Sequence, residues 1–118
     1  MDIKKEFYKN QAKSILEKCK LRGMQGYYCN DKAEALECIK SLFTPDATIS
    51  WGGSETLTEI GLLDYLKTAP YTLYDRATAT TPEEQKAMYA KTVTADYFLM
   101  STNAITLDGQ LVNIDGSG

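Results

Sequence analysis

Short apolar runs alternate along this chain with helical patterns of about a dozen residues, and this alternation is the strongest limit on its fold. Strands are indicated over residues 24–29, 47–51, 71–74 and 97–102, and helices over residues 2–22, 31–43, 54–69 and 82–94. Because a strand followed by such a helix returns to a parallel neighbour, we expect an α/β fold with a largely parallel sheet and helices on both faces. Asp108 and Gly109 lie between two apolar stretches of residues 105–114 and predict a C-terminal β-hairpin.

Local signals mark several helix ends. In the segment Thr81-Pro82-Glu83-Glu84, the threonine can cap a helix, the proline suits its first turn and Glu84 completes a capping box. Asp31 and Glu34 repeat that spacing before the second helix, and Gly23 predicts the end of the first. The third helix is expected to be continuous, with Gly61 allowing it to lie close against the sheet.

The composition is that of a folded protein. The chain has 118 residues, of which 43% are hydrophobic and 25% charged, and we expect one α/β domain over residues 1–118. A net charge of −3 without a basic stripe argues against nucleic acid as a partner. No apolar run approaches the roughly 20 residues that cross a bilayer, and no signal peptide is recognisable, so we expect a cytoplasmic protein without membrane contact.

Histidine is absent from the sequence, which excludes His-dependent nucleophiles, His general bases and His-ligated zinc within this chain. Cys19, Cys29 and Cys38 are widely spaced and form no Cys-x-x-Cys pair, which argues against a disulfide framework and a tetrahedral metal site. We therefore expect no metal and no cofactor within this chain.

A glycine loop joins the strand ending at Trp51 to the next helix. Gly52 and Gly53 let backbone N–H groups approach a ligand, and an anion is stabilised in such a place. Ser54 and Thr56 can add hydroxyl donors, or either can be an ordinary helix cap. The loop is therefore the first candidate site for a small anion.

Two neighbours of the glycines have alternative roles. Trp51 can stack on a ligand or pack in the core, and Glu55 can act as a general base or repel an anion.

The loop after the last predicted strand supplies the second candidate set. The segment Ser101-Thr102-Asn103-Ala104 lies at the end of that strand, so we expect its hydroxyl and amide side chains at the same edge of the sheet as the glycine loop. Thr102 and Asn103 are the predicted ligand residues, although Asn103 also suits a solvated turn. Asp115 and Gly116 lie in a glycine-rich terminal run that is either a ligand loop or a frayed end. Since the run follows a strand directly, we expect the domain to be incomplete at its C-terminus.

These loops resemble those of the LUD (lactate utilisation) family, which includes the lactate utilization protein C proteins. The resemblance spans nearly the whole chain and rests on the order and spacing of five segments, namely Ser50-Trp51-Gly52-Gly53-Ser54, Glu59-Ile60-Gly61, Thr81-Pro82-Glu83-Glu84, Ser101-Thr102-Asn103-Ala104-Ile105-Thr106 and Leu111-Val112-Asn113-Ile114-Asp115-Gly116.

The resemblance implies a fold similar to that of ribose-5-phosphate isomerase, glucosamine-6-phosphate deaminase and the CoA transferases, whose glycine loops bind phosphate or carboxylate groups. It also implies a role in oxidising L-lactate to pyruvate together with iron–sulfur and oxidoreductase partner proteins. Family members continue past the point that matches Gly118, with an Asn-Arg pair, further strands and helices, and often a cysteine-rich tail. The chain resembles their N-terminal part, so any iron–sulfur function would come from partners or from a further segment.

Three functions remain open from the sequence. The first is a small-anion-binding component of lactate utilisation, in which Gly52, Gly53 and Ser54 hold a carboxylate or phosphate while Thr102 and Asn103 orient the rest. The second is a sugar-phosphate isomerase or acyl-transfer enzyme. For either function, Glu55 and Asp115 are the only plausible acid–base pair. The third is a non-catalytic domain that forms homo-oligomers through an open sheet edge.

Overall fold

The computed structural model describes residues 3–102 and 104–113, which divide between two compact units. The first unit comprises the described parts of residues 1–31 and 102–118, and the second comprises residues 32–101. The first contains α1 (Ile3–Leu21), β4 (Ala104–Ile105) and β5 (Leu111–Val112). The second contains α2 (Lys32–Leu42), β1 (Thr48–Trp51), α3 (Glu55–Glu59), α4 (Leu62–Thr68), β2 (Thr72–Tyr74), the 3₁₀ helix η1 (Arg76–Thr78), α5 (Pro82–Thr92) and β3 (Tyr97–Leu99).

The second unit has a three-stranded sheet in the order β2-β1-β3, in which both pairs are parallel. Thr48 lies opposite Thr72 in one pair, and Trp51 lies opposite Leu99 in the other. The mixed α/β architecture with a parallel sheet is confirmed, and the hairpin forms a separate two-stranded sheet.

The core of this unit surrounds the central strand. Ile49 of β1 is completely buried, and so is Leu62 of α4. The same cluster contains Ala47, Leu57 and Leu66. Burying a leucine or isoleucine side chain of this kind contributes about 1.5–3 kcal/mol, so contacts between β1 and the two helices that follow it supply much of the stability.

Ser50 is a buried polar residue in the middle of β1. Its hydroxyl donates to the backbone oxygen of Tyr74 at 2.9 Å and lies 3.1 Å from the hydroxyl of Thr92. One side chain thereby ties the central strand to the end of β2 and to α5. A buried hydroxyl is tolerated here because it is fully hydrogen-bonded.

Thr48 and Asp96 hold the starts of β1 and β3 together. The Asp96 carboxylate accepts from the backbone N–H of Thr48 at 2.9 Å and from its hydroxyl at 3.1 Å. The backbone N–H of Asp96 donates in return to the Thr48 hydroxyl at 2.9 Å. Hydrogen bonds from Thr48, first from its backbone and then from its side chain, lower the pKa of the Asp96 carboxyl below its ordinary value.

The predicted third helix is wrong as a single element. It is divided into α3 and α4 by Gly61, whose φ of 80° is a left-handed conformation that favours glycine. Gly61 donates its N–H to the oxygen of Thr58 and begins α4 as its N-cap. The turn directs Leu62 into the core. In an uninterrupted helix, Leu62 would lie outside the predicted apolar face.

Other helix boundaries follow the sequence closely. The capping box is confirmed, because Thr81 accepts from the backbone N–H of Glu84 and the Glu84 side chain accepts from that of Thr81. Helix α1 ends with Met24 donating to the oxygen of Cys19 and Gly23 to that of Lys20, the pair of bonds found in a Schellman motif.

The predicted strand over residues 24–29 is wrong, since this segment is neither helix nor strand. It turns back on the helix that precedes it: a Cβ at Gly26 would lie 2.5 Å from the Leu16 side chain. The last predicted strand is also shorter than expected, because β3 ends at Leu99 and not at residue 102.

The predicted hairpin is confirmed, with Ala104 opposite Val112. Its turn places Gly109 at φ 83°, and a Cβ there would lie 3.2 Å from the backbone nitrogen of Cys19 in α1. Arg22 adds an exposed ion pair of 3.3 Å to Asp108. No helix within the described residues has both the length and the apolar character needed to cross a bilayer.

We expect Asp96→Asn to remove a pH-dependent part of the stability. A carboxyl whose pKa is lowered by folding stabilises the protein above its unfolded value of about 3.9, and this contribution is lost as the pH falls through the folded value. Urea unfolding should therefore show the full difference from the parent near neutral pH and a shrinking difference below about pH 4. Asp64→Asn, at an exposed carboxylate in α4, is the control, and an identical effect there would contradict the prediction.

Ser50→Ala should destabilise the protein by about 1–3 kcal/mol, because it leaves buried hydrogen-bonding groups without their partner. Ser41→Ala is the matched control, since the Ser41 hydroxyl is exposed and donates only to the oxygen of Cys38 within its own helix. Its expected cost is below about 0.5 kcal/mol. Urea unfolding measures both, and equal effects of the two changes would show that the buried network is unimportant.

Candidate functional site

The carboxyl ends of β1 and β3 define the candidate site. After β1, the chain forms β2 along one edge of β1. It then crosses over and forms β3 along the opposite edge of β1. In open α/β sheets, the crevice between strands where the order reverses is the usual place for a ligand. The glycine loop after Trp51 begins at this point.

Two hydrogen bonds join the loops that follow these strands. Gly52 donates its backbone N–H to the oxygen of Leu99 at 3.0 Å, which continues the pairing by one residue beyond β1. Ser54 and Ser101 then approach each other, with 2.8 Å between their hydroxyl oxygens. The structure therefore brings the glycine loop to the loop after β3.

Gly53 lies at the most open point of the glycine loop. It is exposed, and a Cβ there would meet no heavy atom within 4 Å, so a ligand atom has room to approach. Among the described residues, the backbone N–H groups of Gly53 and Ser54 have no hydrogen-bond partner. These two donors are available to an acceptor outside the protein.

Ser54 occupies the N-cap position of α3, but its side chain makes no capping hydrogen bond. Its hydroxyl is directed to Ser101 instead. Helix α3 is only five residues long, so its macrodipole contributes little to anion binding. The donors of this site are consequently the loop amides and the serine hydroxyls.

The remaining predicted residues of this loop differ in environment. Trp51 is half-buried and packs against the core cluster, as the packing interpretation expects. Glu55 and Thr56 are exposed in the first turn of α3, and the Thr56 oxygen accepts the N–H of Ile60. Within the described residues, Glu55 has no ion-pair partner.

Thr102 belongs to the other compact unit. Its hydroxyl lies 3.0 Å from the backbone oxygen of Ala104 and 3.1 Å from that of Val112, so its proton is directed to the hairpin. Asn103, Asp115 and Gly116 lie outside the described residues. Their assignment to the site stays a prediction.

Ser101 lies in the predicted polar loop, but the sequence analysis assigned the ligand to Thr102 and Asn103 and not to Ser101. The parallel register explains its position: Trp51 pairs with Leu99, so extending both chains by two residues sets Gly53 opposite Ser101. An expectation that β3 ended at residue 102 placed the polar loop too late in the sequence. A shorter strand would have indicated Ser101.

The described cysteines do not fit a metal centre or an iron–sulfur cluster. Cys19 is buried, Cys29 and Cys38 are half-buried, and none of the three is in a disulfide. Across residues 3–102 and 104–113, no three Cys, Asp or Glu side chains come together as metal ligands.

A family model described as LUD domain matches residues 12–118, which is nearly the whole chain. No curated protein and no solved structure matches it.

The hydrogen bond between Ser54 and Ser101 predicts a measurable energetic coupling. In a double-mutant cycle, Ser54→Ala and Ser101→Ala should show an interaction of about 1 kcal/mol, because the second change costs little once the first has removed the bond. Urea unfolding of the parent, both single variants and the double variant measures it. Pairing Ser54→Ala with Ser41→Ala should give additive effects, whereas a coupling below about 0.3 kcal/mol between the two loop serines would contradict the prediction.

Proposed function

Because the chain belongs to the LUD domain family, we propose that it is a small-anion-binding component of lactate utilisation, the oxidation of L-lactate to pyruvate. The anion binds where the glycine loop meets the loop after β3. The ligand is a carboxylate or a phosphate, and a monocarboxylate such as lactate or pyruvate suits the site best.

The joined serine loops are the observation that carries this proposal. When one of two paired hydroxyls donates to the other, the second keeps its proton for a ligand. That proton and the unpaired N–H groups of Gly53 and Ser54 give three donors where the two loops meet. Oxygen atoms of a carboxylate accept hydrogen bonds of this kind, as in other anion-binding loops.

The charge of the loop favours a singly charged ligand. The donors of the site are uncharged, and Glu55 adds a negative charge that no described cation neutralises. Repulsion from this carboxylate weakens a dianion more than a monoanion. L-lactate is therefore preferred over phosphate or a sugar phosphate.

The other residues have roles that follow from this arrangement. We assign the carboxylate to the backbone N–H groups of Gly53 and Ser54, and the remaining ligand atoms to the hydroxyl proton that the Ser54–Ser101 pair leaves unused. Glu55, exposed in the first turn of α3, is the group in this unit that would move a proton. Electron transfer is left to iron–sulfur or oxidoreductase partner proteins, since the described cysteines do not fit a cluster.

A thermal-shift titration with L-lactate, pyruvate, phosphate and ribose 5-phosphate tests the proposal. A ligand that binds only the native state raises the unfolding midpoint by mass action, so lactate or pyruvate should raise it. Gly53→Val should abolish the shift, because the side chain fills the open approach without meeting protein atoms already there. Ser54→Ala should reduce the shift by removing a donor.

Ser41→Ala, at an exposed serine outside the loop, should leave the shift unchanged. A shift that survives Gly53→Val would place the ligand elsewhere. A preference for ribose 5-phosphate would favour a sugar-phosphate isomerase instead, and no shift with any of the four compounds would contradict an anion site in this chain.

A further inference from the structure

A second cleft lies between the 3₁₀ helix η1 and helix α5. It encloses about 420 Å³, within the range of sites that bind small molecules, and is lined by Arg76, Ala77, Ala79, Gln85, Met88 and Tyr89. None of these residues belongs to the glycine loop or to the loop after β3.

Arg76 brings a positive charge to this cleft and forms no ion pair among the described residues. The neighbouring carboxylate of Asp75 is occupied, since it accepts from the backbone N–H of Ala77 at 2.9 Å. The Glu84 carboxylate also has a partner within the protein, because it accepts from the backbone N–H of Thr80 at 2.9 Å. Among the described residues, Arg76 itself has neither an ion pair nor a side-chain hydrogen bond. Its guanidinium is free to bind an anion.

The opposite wall presents an aromatic ring and a thioether. Gln85, Met88 and Tyr89 are spaced so that they share one face of α5. Tyr89 is 66% exposed. Within the described part of the chain, its ring contacts no other aromatic ring and its hydroxyl has no hydrogen-bond partner.

We propose that this cleft is a binding site for an aromatic monocarboxylate. The guanidinium of Arg76 holds the carboxylate through paired hydrogen bonds, and the ligand ring lies against Tyr89 and Met88. Gln85 supplies an amide for a polar substituent. Arg76 is the single cation among the lining residues, and it matches a ligand with one negative charge. A nucleotide is disfavoured because its phosphate carries more negative charge.

Protein-observed NMR with 3-phenylpropionate as the probe tests this site. Backbone signals of Ala77, Ala79 and Gln85 should move, with saturation in the millimolar range, about 1–10 mM. The amide 3-phenylpropanamide, which lacks the charge, and acetate, which lacks the ring, should each bind at least about tenfold more weakly.

Three variants identify the groups responsible. Arg76→Gln and Tyr89→Ser change exposed side chains, so both variants should fold. Each should lower the affinity for 3-phenylpropionate about tenfold. Arg76→Lys keeps the charge without the planar fork and should give an intermediate loss. Lys86→Gln removes one positive charge from the same helix outside the cleft and should have no effect.

Saturable binding lost in the arginine and tyrosine variants alone would support the site. Equal weakening by Lys86→Gln would show a general charge effect, and tighter binding of adenosine monophosphate would make this a nucleotide site. Either result, or no binding up to about 10 mM, would overturn the proposal. None of these outcomes depends on the glycine loop, because Gly53→Val should leave 3-phenylpropionate binding unchanged.

Discussion

The pairing of β1 with a parallel strand on each side is the constraint on which the second unit depends. The side chains of β1 form the middle of the core, and Ile49 is completely buried against the helices that follow this strand. Polar contacts hold β1 at three levels. Thr48 bonds to Asp96 at its start, and Ser50 bonds to Tyr74 and Thr92 in its middle. At its end, the glycine loop bonds to Ser101. Only the last of these levels leaves donors unused, which is why the candidate site lies there.

The two clusters of unused polar groups differ in chemistry. The loop site offers uncharged donors at the carboxyl ends of two strands, whereas the cleft at α5 combines one guanidinium with an exposed ring. The ligand that we propose is a short carboxylic acid for the first and a larger aromatic acid for the second. Because α5 also holds Thr92 against Ser50, the cleft is built on a helix that is anchored to the central strand.

Features that depend on neighbours in sequence could be predicted, while those that depend on distant partners could not. The capping box at Thr81 and Glu84 and the hairpin turn at Gly109 are encoded within a few residues, and both are present. The break at Gly61 could not be foreseen, because the apolar spacing continues through it and the cluster that contains Leu62 depends on a strand elsewhere in the chain. For the candidate site, the sequence predicts the glycine loop, but the loop that it contacts depends on strand register. Choosing Ser101 requires knowing that Trp51 pairs with Leu99.

The hydrogen bond between Thr48 and Asp96 spans 48 positions of the sequence. Because chain synthesis proceeds from the N-terminus, β1 emerges from the ribosome long before β3 can pair with it. Until then, the apolar face of β1 is covered by α2, α3, α4 and β2 without β3, and loop-closure entropy slows the final pairing. The central strand is thus the first sheet element to be made and the last to be completed, and this interval is when the nascent chain is most exposed to aggregation.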